Sequence, residues 1–139
     1  MYALLIVDDD MCFAKGLEIL LRNQKRVIYK AYSVKEAIEI IKEHNESLDL
    51  ICSDYAMRDG TCIDLMEYIK VQNINCPVIV ISARDEEEYI KQAESSGVAL
   101  YIPKIPLETQ KIRESISYIL QNSVKTLKDM EYLKKENSL

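Results

Sequence analysis

The sequence predicts a single α/β domain built on a parallel sheet that is covered by helices on both faces. Short apolar runs rich in β-branched residues alternate with helical patterns along the chain. Residues 4–7 and 78–81 are apolar throughout, as strands buried on both faces are. Several runs end abruptly in an acid or a hydroxyl, which places polar side chains at the carboxyl edge of the sheet, where such folds bind ligands.

Composition agrees with one globular domain and excludes some classes of function. The chain has 139 residues, of which 48% are hydrophobic and 29% charged. Its net charge of −5 and the lack of a basic stripe argue against nucleic-acid binding. Every apolar run is too short to cross a bilayer, so we expect neither a membrane anchor nor a signal peptide.

The cysteines and the single histidine do not predict a metal site. The spacing of Cys12, Cys52, Cys62 and Cys76 matches no zinc motif, and we expect reduced thiols in a cytoplasmic protein. Cys52 lies in an apolar run and is expected in the core. His44 is expected to lie exposed at a helix C-terminus rather than to bind a ligand.

Five strands and five helices alternate in the prediction. The strands are placed at residues 4–7, 26–31, 49–53, 78–81 and 99–102. The helices are placed at residues 11–23, from an N-cap at Ser33 to about 45, at 63–71, at 85–96 and from about Leu107 onward. Ser33 with Glu36 forms a predicted capping box, Gly97 is expected to end the fourth helix, and Asp59-Gly60 marks a turn.

Right-handed crossovers leave few arrangements for such a chain, and we predict the flavodoxin-like strand order 2-1-3-4-5. Strands 1 and 3 are then neighbours, so Asp8, Asp9 and Asp54 converge on one pocket. Ser82 and Lys104 follow strands 4 and 5 at the same edge. The acids following strand 1 would repel a flavin phosphate, which argues against a flavin protein.

The chemistry of this pocket suggests phosphoryl transfer to an aspartate. Gathered carboxylates repel one another, and a hard cation such as Mg²⁺ would offset that repulsion. Asp8 and Asp9 are therefore predicted to bind metal, although they could instead cap the next helix. For Asp10 the helix N-cap is the preferred role. A metal and a lysine together neutralise the transferring group while a carboxylate oxygen attacks it.

These residues resemble the receiver domain of bacterial two-component response regulators over residues 3 to about 121. The resemblance implies that Asp54 is the phosphoacceptor for a histidine kinase or phosphotransfer protein. It implies Mg²⁺ ligands at Asp8, Asp9, Asp54 and the backbone oxygen of Ala56. Ser82 and Lys104 would bind the phosphoryl group, Tyr101 would be the aromatic switch, and Ala56 and Arg84 would tune dephosphorylation.

Two loops depart from the family pattern. The loop from Asp54 to Asp59-Gly60 lacks the usual proline and is about two residues shorter than in the family. One residue separates Lys104 from Pro106, where the family has Lys-Pro, so the family's cis peptide bond is not assumed here. The first change affects the loop that carries the Ala56 carbonyl.

Residues 1–121 are predicted to form the receiver domain, and residues 122–139 a helical extension or linker. Val124, Leu127, Met130 and Leu133 continue the apolar pattern of the last helix, which suggests a coiled-coil dimer, a folded-back helix or a link to an output domain. Residues 85–102 are a second candidate dimer surface.

Two other functions are consistent with the same acids. A degenerate receiver would act through protein contacts without phosphorylation. A haloacid-dehalogenase-like phosphatase would use Asp8 as nucleophile and Asp10 as general acid. In the preferred interpretation the chain is a signalling switch that catalyses its own phosphotransfer and dephosphorylation, which leaves its status as an enzyme open.

Overall fold

A computed structural model describes residues 1–122 of the chain. Its centre is a parallel sheet of five strands in the order β2-β1-β3-β6-β7. Counting these strands alone, the predicted order 2-1-3-4-5 is confirmed. The strands are β1 (Tyr2–Val7), β2 (Arg26–Ala31), β3 (Leu50–Ser53), β6 (Val78–Ser82) and β7 (Leu100–Pro103).

Helices cover both faces of this sheet and make two separate cores. The helices are α1 (Met11–Leu21), α2 (Val34–His44), α3 (Cys62–Val71), α4 (Glu87–Ser95) and α5 (Thr109–Gln121). In β1, Leu5 and Val7 pack towards α2, α3 and α4, whereas Leu4 and Ile6 pack towards α1 and α5. Both faces of β1 are therefore packed against apolar side chains, which explains its unbroken run of aliphatic residues.

Helix capping follows the sequence in part. The Asp10 carboxylate accepts a hydrogen bond from the Phe13 amide and Ser33 accepts one from the Glu36 amide, so both predicted N-caps are confirmed. The Glu36 side chain bonds the Tyr32 amide rather than that of Ser33, so the predicted capping box is incomplete. A complete capping box lies instead at the start of α3, where Thr61 is the N-cap.

A small hairpin between β3 and α3 was not predicted beyond a turn. Its strands are β4 (Ala56–Met57) and β5 (Gly60–Thr61), and they pair antiparallel. The last helix begins at Thr109, slightly later than expected. Gly97 has φ +107° just beyond α4, as predicted for a helix C-terminus. The predicted extension over residues 122–139 lies outside the described residues, apart from Asn122.

The cysteines and His44 are placed largely as the sequence suggested. All four cysteines are free, and Cys52 is buried in the core. His44 ends α2, but it is only partly exposed because its ring stacks on Tyr29 with 4.4 Å between ring centroids. Within residues 1–122, every helix is too short or too polar to cross a bilayer.

Candidate functional site

Three carboxylates meet at the carboxyl edge of the sheet. Asp8 and Asp9 directly follow β1, and Asp54 follows β3. The two strands are neighbours, Val7 pairs with Ser53, and the Asp54 amide donates to the Val7 carbonyl at 2.8 Å. One oxygen from each carboxylate lies within 4.8 Å of the others. The predicted convergence of these acids is therefore present in the structure.

Lys104 reaches this cluster from the end of β7. Its ammonium donates to Asp8 Oδ2 at 2.8 Å and to Asp54 Oδ2 at 3.2 Å. The Lys104 amide donates to the Ser82 carbonyl at 2.8 Å, which holds this residue beside the end of β6. The third side of the ammonium faces the ring of Phe13, with 4.1 Å from Nζ to the ring centroid. The lysine is thus held in place by contacts from four segments.

The charge balance of the pocket shows in the pKa values of Asp8 and Lys104. Burial raises the pKa of the Asp8 carboxyl, and the negative charge of Asp54 raises it further. Hydrogen bonds from Lys104 and the Asp10 amide lower that pKa, but do not outweigh burial. Burial alone would lower the pKa of Lys104, but the bond to Asp8 and the charge of Asp54 leave it raised. The pKa of Asp8 is therefore raised mainly by burial, whereas that of Lys104 is raised by the two carboxylates that it contacts.

This donor set fits a hard divalent cation. Mg²⁺ prefers oxygen ligands, above all carboxylates, and it binds through one or two of them together with water and phosphate oxygens. Asp8 is buried, whereas Asp9 and Asp54 are partly exposed, so the cluster opens towards solvent on one side. A cation bound there would offset the mutual repulsion of the three carboxylates.

Ser82, Arg84 and Tyr101 form a second group beside the pocket. The buried Ser82 hydroxyl accepts a hydrogen bond from the Arg84 amide at 3.1 Å. The Tyr101 hydroxyl donates to the Arg84 carbonyl at 2.7 Å. Burial raises the pKa of Tyr101 and outweighs a hydrogen bond with Ser82 that lowers it. The loop after β6 therefore joins the predicted serine to the predicted aromatic switch residue.

Tyr55, the residue after Asp54, connects the pocket to α4. Its hydroxyl donates to Gln92 Oε1 at 2.8 Å, and its ring meets that of Tyr89 edge-on at 5.1 Å. The guanidinium of Arg84 lies 5.0 Å from the Tyr89 ring centroid and 5.9 Å from that of Tyr55. Within residues 1–122, Arg84 makes these ring contacts rather than an ion pair with Asp54.

The two loops that depart from the family pattern have distinct backbone features. Ala56 lies in β4, two residues beyond Asp54 and at the base of the short hairpin. The peptide bond between Ile105 and Pro106 is cis, one residue later than the family pattern places it. The inserted Ile105 is 75% exposed, so it takes no part in the pocket.

Sequence reasoning missed three residues around this site. Phe13 is one of the apolar residues in the predicted helix 11–23, and its ring lies against the Lys104 ammonium. Tyr55 carried no assignment, although its place next to Asp54 was a signal. Asp59 was read as a turn residue, whereas its carboxylate accepts hydrogen bonds from two amides of α2. Each role depends on a contact between segments far apart in the sequence.

Comparison with known proteins agrees with this geometry. The family model for the response regulator receiver domain matches residues 4–117. The chain belongs to this family. A receiver domain acts in phosphorelay signal transduction, and the family generally binds Mg²⁺ at an acidic pocket of this kind. The resemblance seen in the sequence, its fold and its class of function are therefore confirmed.

Individual relatives support the same assignment. The chain is 32% identical to the chemotaxis protein CheY of Treponema pallidum over 121 residues, which covers 86% of this chain and 83% of that protein. It spans only 20–26% of the length of several other curated response regulators that it matches. For those relatives, the similarity therefore concerns only a minor part of their length.

Solved structures show the same fold. A two-component response regulator from Clostridium difficile has a TM-score of 0.81 at 26% identity, over 90% of this chain and 100% of that one. CheY in a CheX-CheY-BeF3-Mg²⁺ complex from Borrelia burgdorferi has a TM-score of 0.74 at 28% identity, over 85% of this chain and 88% of that one.

The alternative functions are not favoured. A phosphatase of the haloacid-dehalogenase type would need Asp10 as general acid, but the Asp10 carboxylate caps α1. A degenerate receiver would be expected to have lost part of the acidic cluster or the lysine. In this chain the three acids lie together, and Lys104 forms ion pairs with Asp8 and Asp54.

Proposed function

We propose that this receiver domain is switched by phosphorylation of Asp54. The observation that carries the proposal is the position of Lys104, whose ammonium bonds Asp54 and Asp8 together beside Asp9. Asp54 is 16% exposed, so a donor can reach it, whereas Asp8 is almost fully buried. Asp54 is therefore the better nucleophile for a group that arrives from solvent.

The phosphodonor in this proposal is a phosphohistidine of a histidine kinase or phosphotransfer protein. An Asp54 carboxylate oxygen attacks the phosphorus, the bond from phosphorus to the histidine nitrogen breaks, and the histidine leaves. Lys104 then pairs with the added phosphoryl oxygens, which bring about two negative charges. The cluster of Asp8, Asp9 and Asp54, with the Ala56 carbonyl, would hold Mg²⁺, which neutralises charge on the transferring group.

The change in conformation is proposed to start at Ser82. In this structure its hydroxyl bonds the Arg84 amide, within the loop that also binds the Tyr101 hydroxyl. Recruitment of Ser82 to the phosphoryl group would alter that loop and the position of Tyr101. Tyr55 gives a second connection, because it follows Asp54 and bonds Gln92 of α4. The surface of residues 85–102 would then change partners, or would pair with a second copy.

Self-dephosphorylation is proposed to be slow to moderate. The Ala56 methyl group offers no hydrogen bond to orient an attacking water. Arg84 lies on the rings of Tyr55 and Tyr89, from which it would shield the acyl phosphate from one side.

The phosphodonor is proposed to dock on an apolar groove between α1 and the start of α5. The groove has a volume of about 420 Å³, and Phe13, Gly16, Leu20 and Leu107 are among its lining residues. Phe13 also contacts the Lys104 ammonium, so the groove borders the acidic pocket directly. Ile19 and Leu107, which also line the groove, are 50% and 45% exposed. Apolar surface of this kind suits a helical partner that presents its histidine to Asp54.

We place the protein in the cytoplasm, where a histidine kinase would present its phosphohistidine. An output domain beyond residue 139, or a separate effector protein, would respond to the switch.

The test is intact mass after incubation with acetyl phosphate and Mg²⁺. We expect one added phosphoryl group, lost in Asp54→Asn and prevented by EDTA. Asp10→Asn is the matched control, because Asp10 lies outside the carboxylate cluster and asparagine also caps helices. A mass gain that persists in Asp54→Asn but is lost in Asp8→Asn would contradict the proposal and favour the phosphatase.

A further inference from the structure

The short hairpin after Asp54 is bonded to the start of α2 by one side chain. Asp59 Oδ1 accepts a hydrogen bond from the Val34 amide at 2.8 Å, and Oδ2 accepts one from the Lys35 amide at 3.0 Å. These amides belong to the first turn of α2, where N–H groups lack partners within the helix. The two bonds lower the pKa of the Asp59 carboxyl, so it remains charged at neutral pH.

The hairpin has little to hold it in place by itself. Arg58 and Asp59 form a two-residue connection between β4 and β5. Such hairpins are favoured when the connection has positive φ angles, since other turns splay the two strands apart. Within residues 1–122, positive φ occurs only at Asn73 and Gly97, so this turn is of the less favoured kind. Two strands of two residues each also provide little pairing.

Close packing shows that the hairpin is fitted between α2 and α3. A Cβ on Gly60 would lie 2.6 Å from Asp64 Oδ2 and 3.2 Å from Val34 Cγ2. A larger residue at position 60 would therefore force the Asp64 and Val34 side chains to move, whereas the φ angle of Gly60 does not itself call for glycine. Asp64 belongs to the capping box of α3, in which it bonds the Thr61 amide. The loop shortened by two residues thus lies against the N-termini of two helices.

We propose that Asp59 is a positioning residue for the metal pocket. By bonding α2 it holds the hairpin, and with it the Ala56 carbonyl at the base of β4, against the carboxylate cluster. Ala56 pairs with Thr61 and the Cys62 amide bonds the Tyr55 carbonyl at 2.7 Å, so the hairpin moves as a unit with the segment after Asp54. This inference rests on the proposed role of the Ala56 carbonyl as a Mg²⁺ ligand.

The test compares two ways of weakening the same end of α2 in the full chain. Asp59→Ala removes the contact between the hairpin and the helix. Ser33→Ala removes the bond from Ser33 Oγ to the Glu36 amide and leaves the hairpin untouched. Asp59→Asn keeps one acceptor oxygen. Binding of Mg²⁺ is measured by isothermal titration calorimetry, and amide hydrogen exchange of residues 56–61 is measured by NMR in EDTA.

We expect both alanine variants to lower the midpoint of thermal unfolding, since both lose helix-capping bonds. Only Asp59→Ala should weaken Mg²⁺ binding, by about tenfold, as the loss of a group that orients a ligand does. It should also speed amide exchange in the hairpin. The Mg²⁺ affinity of Asp59→Asn should lie between that of Asp59→Ala and that of the unchanged protein. Ser33→Ala should bind Mg²⁺ with the affinity of the unchanged protein.

Two results would overturn the inference alone. In one, the unchanged protein binds Mg²⁺ and Asp59→Ala binds it equally well. In the other, Ser33→Ala weakens binding as much as Asp59→Ala, which would reduce the effect to general stability. If the unchanged protein bound no Mg²⁺, the metal site of the proposed function would fail and the inference with it.

Discussion

Asp8 is the residue in which burial and charge oppose each other most directly. Its side chain is only 3% exposed. It accepts a hydrogen bond from the Asp10 amide at 2.9 Å and forms an ion pair with Lys104. Carboxylates about 5 Å apart repel by about 3 kcal/mol at an effective dielectric near 20. The Lys104 ammonium pairs with Asp8 and Asp54 and offsets this repulsion only in part. The ionised form of Asp8 therefore lowers the stability of the metal-free fold.

Asp8→Asn is expected to stabilise the metal-free protein at pH 7. Folding raises the pKa of the Asp8 carboxyl. Such a group stabilises the fold at pH values below its pKa in the unfolded chain, and this stabilisation is lost as the pH rises through its pKa in the folded protein. Asparagine removes the charge and keeps an acceptor for the Asp10 amide. We expect a gain of about 1 kcal/mol, which is about 3–5 °C in the unfolding midpoint.

Thermal unfolding in EDTA, followed by circular dichroism at pH 4 to 7, measures this effect. The stability of Asp8→Asn should depend less on pH than that of the unchanged protein. Asp10→Asn is the control and should leave the midpoint nearly unchanged, because Asp10 only caps α1. A lower midpoint for Asp8→Asn would mean that the pair with Lys104 outweighs burial and repulsion.

At the scale of elements, α1 contains a residue that the fold does not require. Gly16 lies in the middle of the helix, and a Cβ built there meets nothing within 4 Å. A glycine inside a helix costs about 1 kcal/mol relative to alanine. Because Gly16 lines the apolar groove, a partner that approaches α1 closely gives a reason for this cost.

Gly16→Ala is expected to stabilise the free protein and to weaken phosphotransfer from a docked donor. The unfolding midpoint should rise by about 3 °C, since alanine has the higher helix propensity. Phosphorylation by acetyl phosphate, which needs no docking surface, should be unchanged, whereas transfer from a phosphorylated histidine kinase should slow. Lys15→Ala is the control, because Lys15 lies next to Gly16 but is not among the groove-lining residues. Equal transfer rates in Gly16→Ala and the unchanged protein would exclude the groove as the docking surface.

At the scale of the whole molecule, the site exists because the sheet brings distant segments together. The ammonium of Lys104 bonds carboxylates that lie 96 and 50 residues away in the sequence. A cation bound by Asp8, Asp9 and Asp54 would link the carboxyl ends of β1 and β3, which are neighbouring strands. Its binding energy would therefore add to the global stability rather than to that of one loop.

Mg²⁺ is expected to stabilise the protein at pH 7.5 and much less at pH 5. At a Mg²⁺ concentration of 100 times Kd, the gain is about 2.7 kcal/mol. The cation needs ionised carboxylates, and the raised pKa of Asp8 means that protons compete with it as pH falls. Thermal unfolding with and without MgCl2 measures this gain, with NaCl of equal ionic strength as control. A Mg²⁺ effect that is equal at both pH values would show that Asp8 is not a ligand.

The sequence alone predicted most of the fold and the centre of the site. The short, β-branched apolar run at residues 78–81 predicts a buried strand, and the crossover rule then left few strand orders. Because parallel strands end at one edge, Asp8, Asp9, Asp54, Ser82 and Lys104 were expected to lie together. Those expectations depend on local pattern and on general rules of chain topology, which a single sequence contains.

Only the tertiary structure decided the contacts around that centre. Phe13 beneath Lys104, Tyr55 against Gln92 and Asp59 at the start of α2 each join segments that the sequence pattern does not relate. A side chain bonds an unpaired amide or contacts a ring wherever packing brings one within reach. Which groups come within reach depends on how the whole core packs, and a local sequence pattern does not contain that information. The edge of the sheet was therefore predictable from the sequence, whereas the residues that position its groups were not.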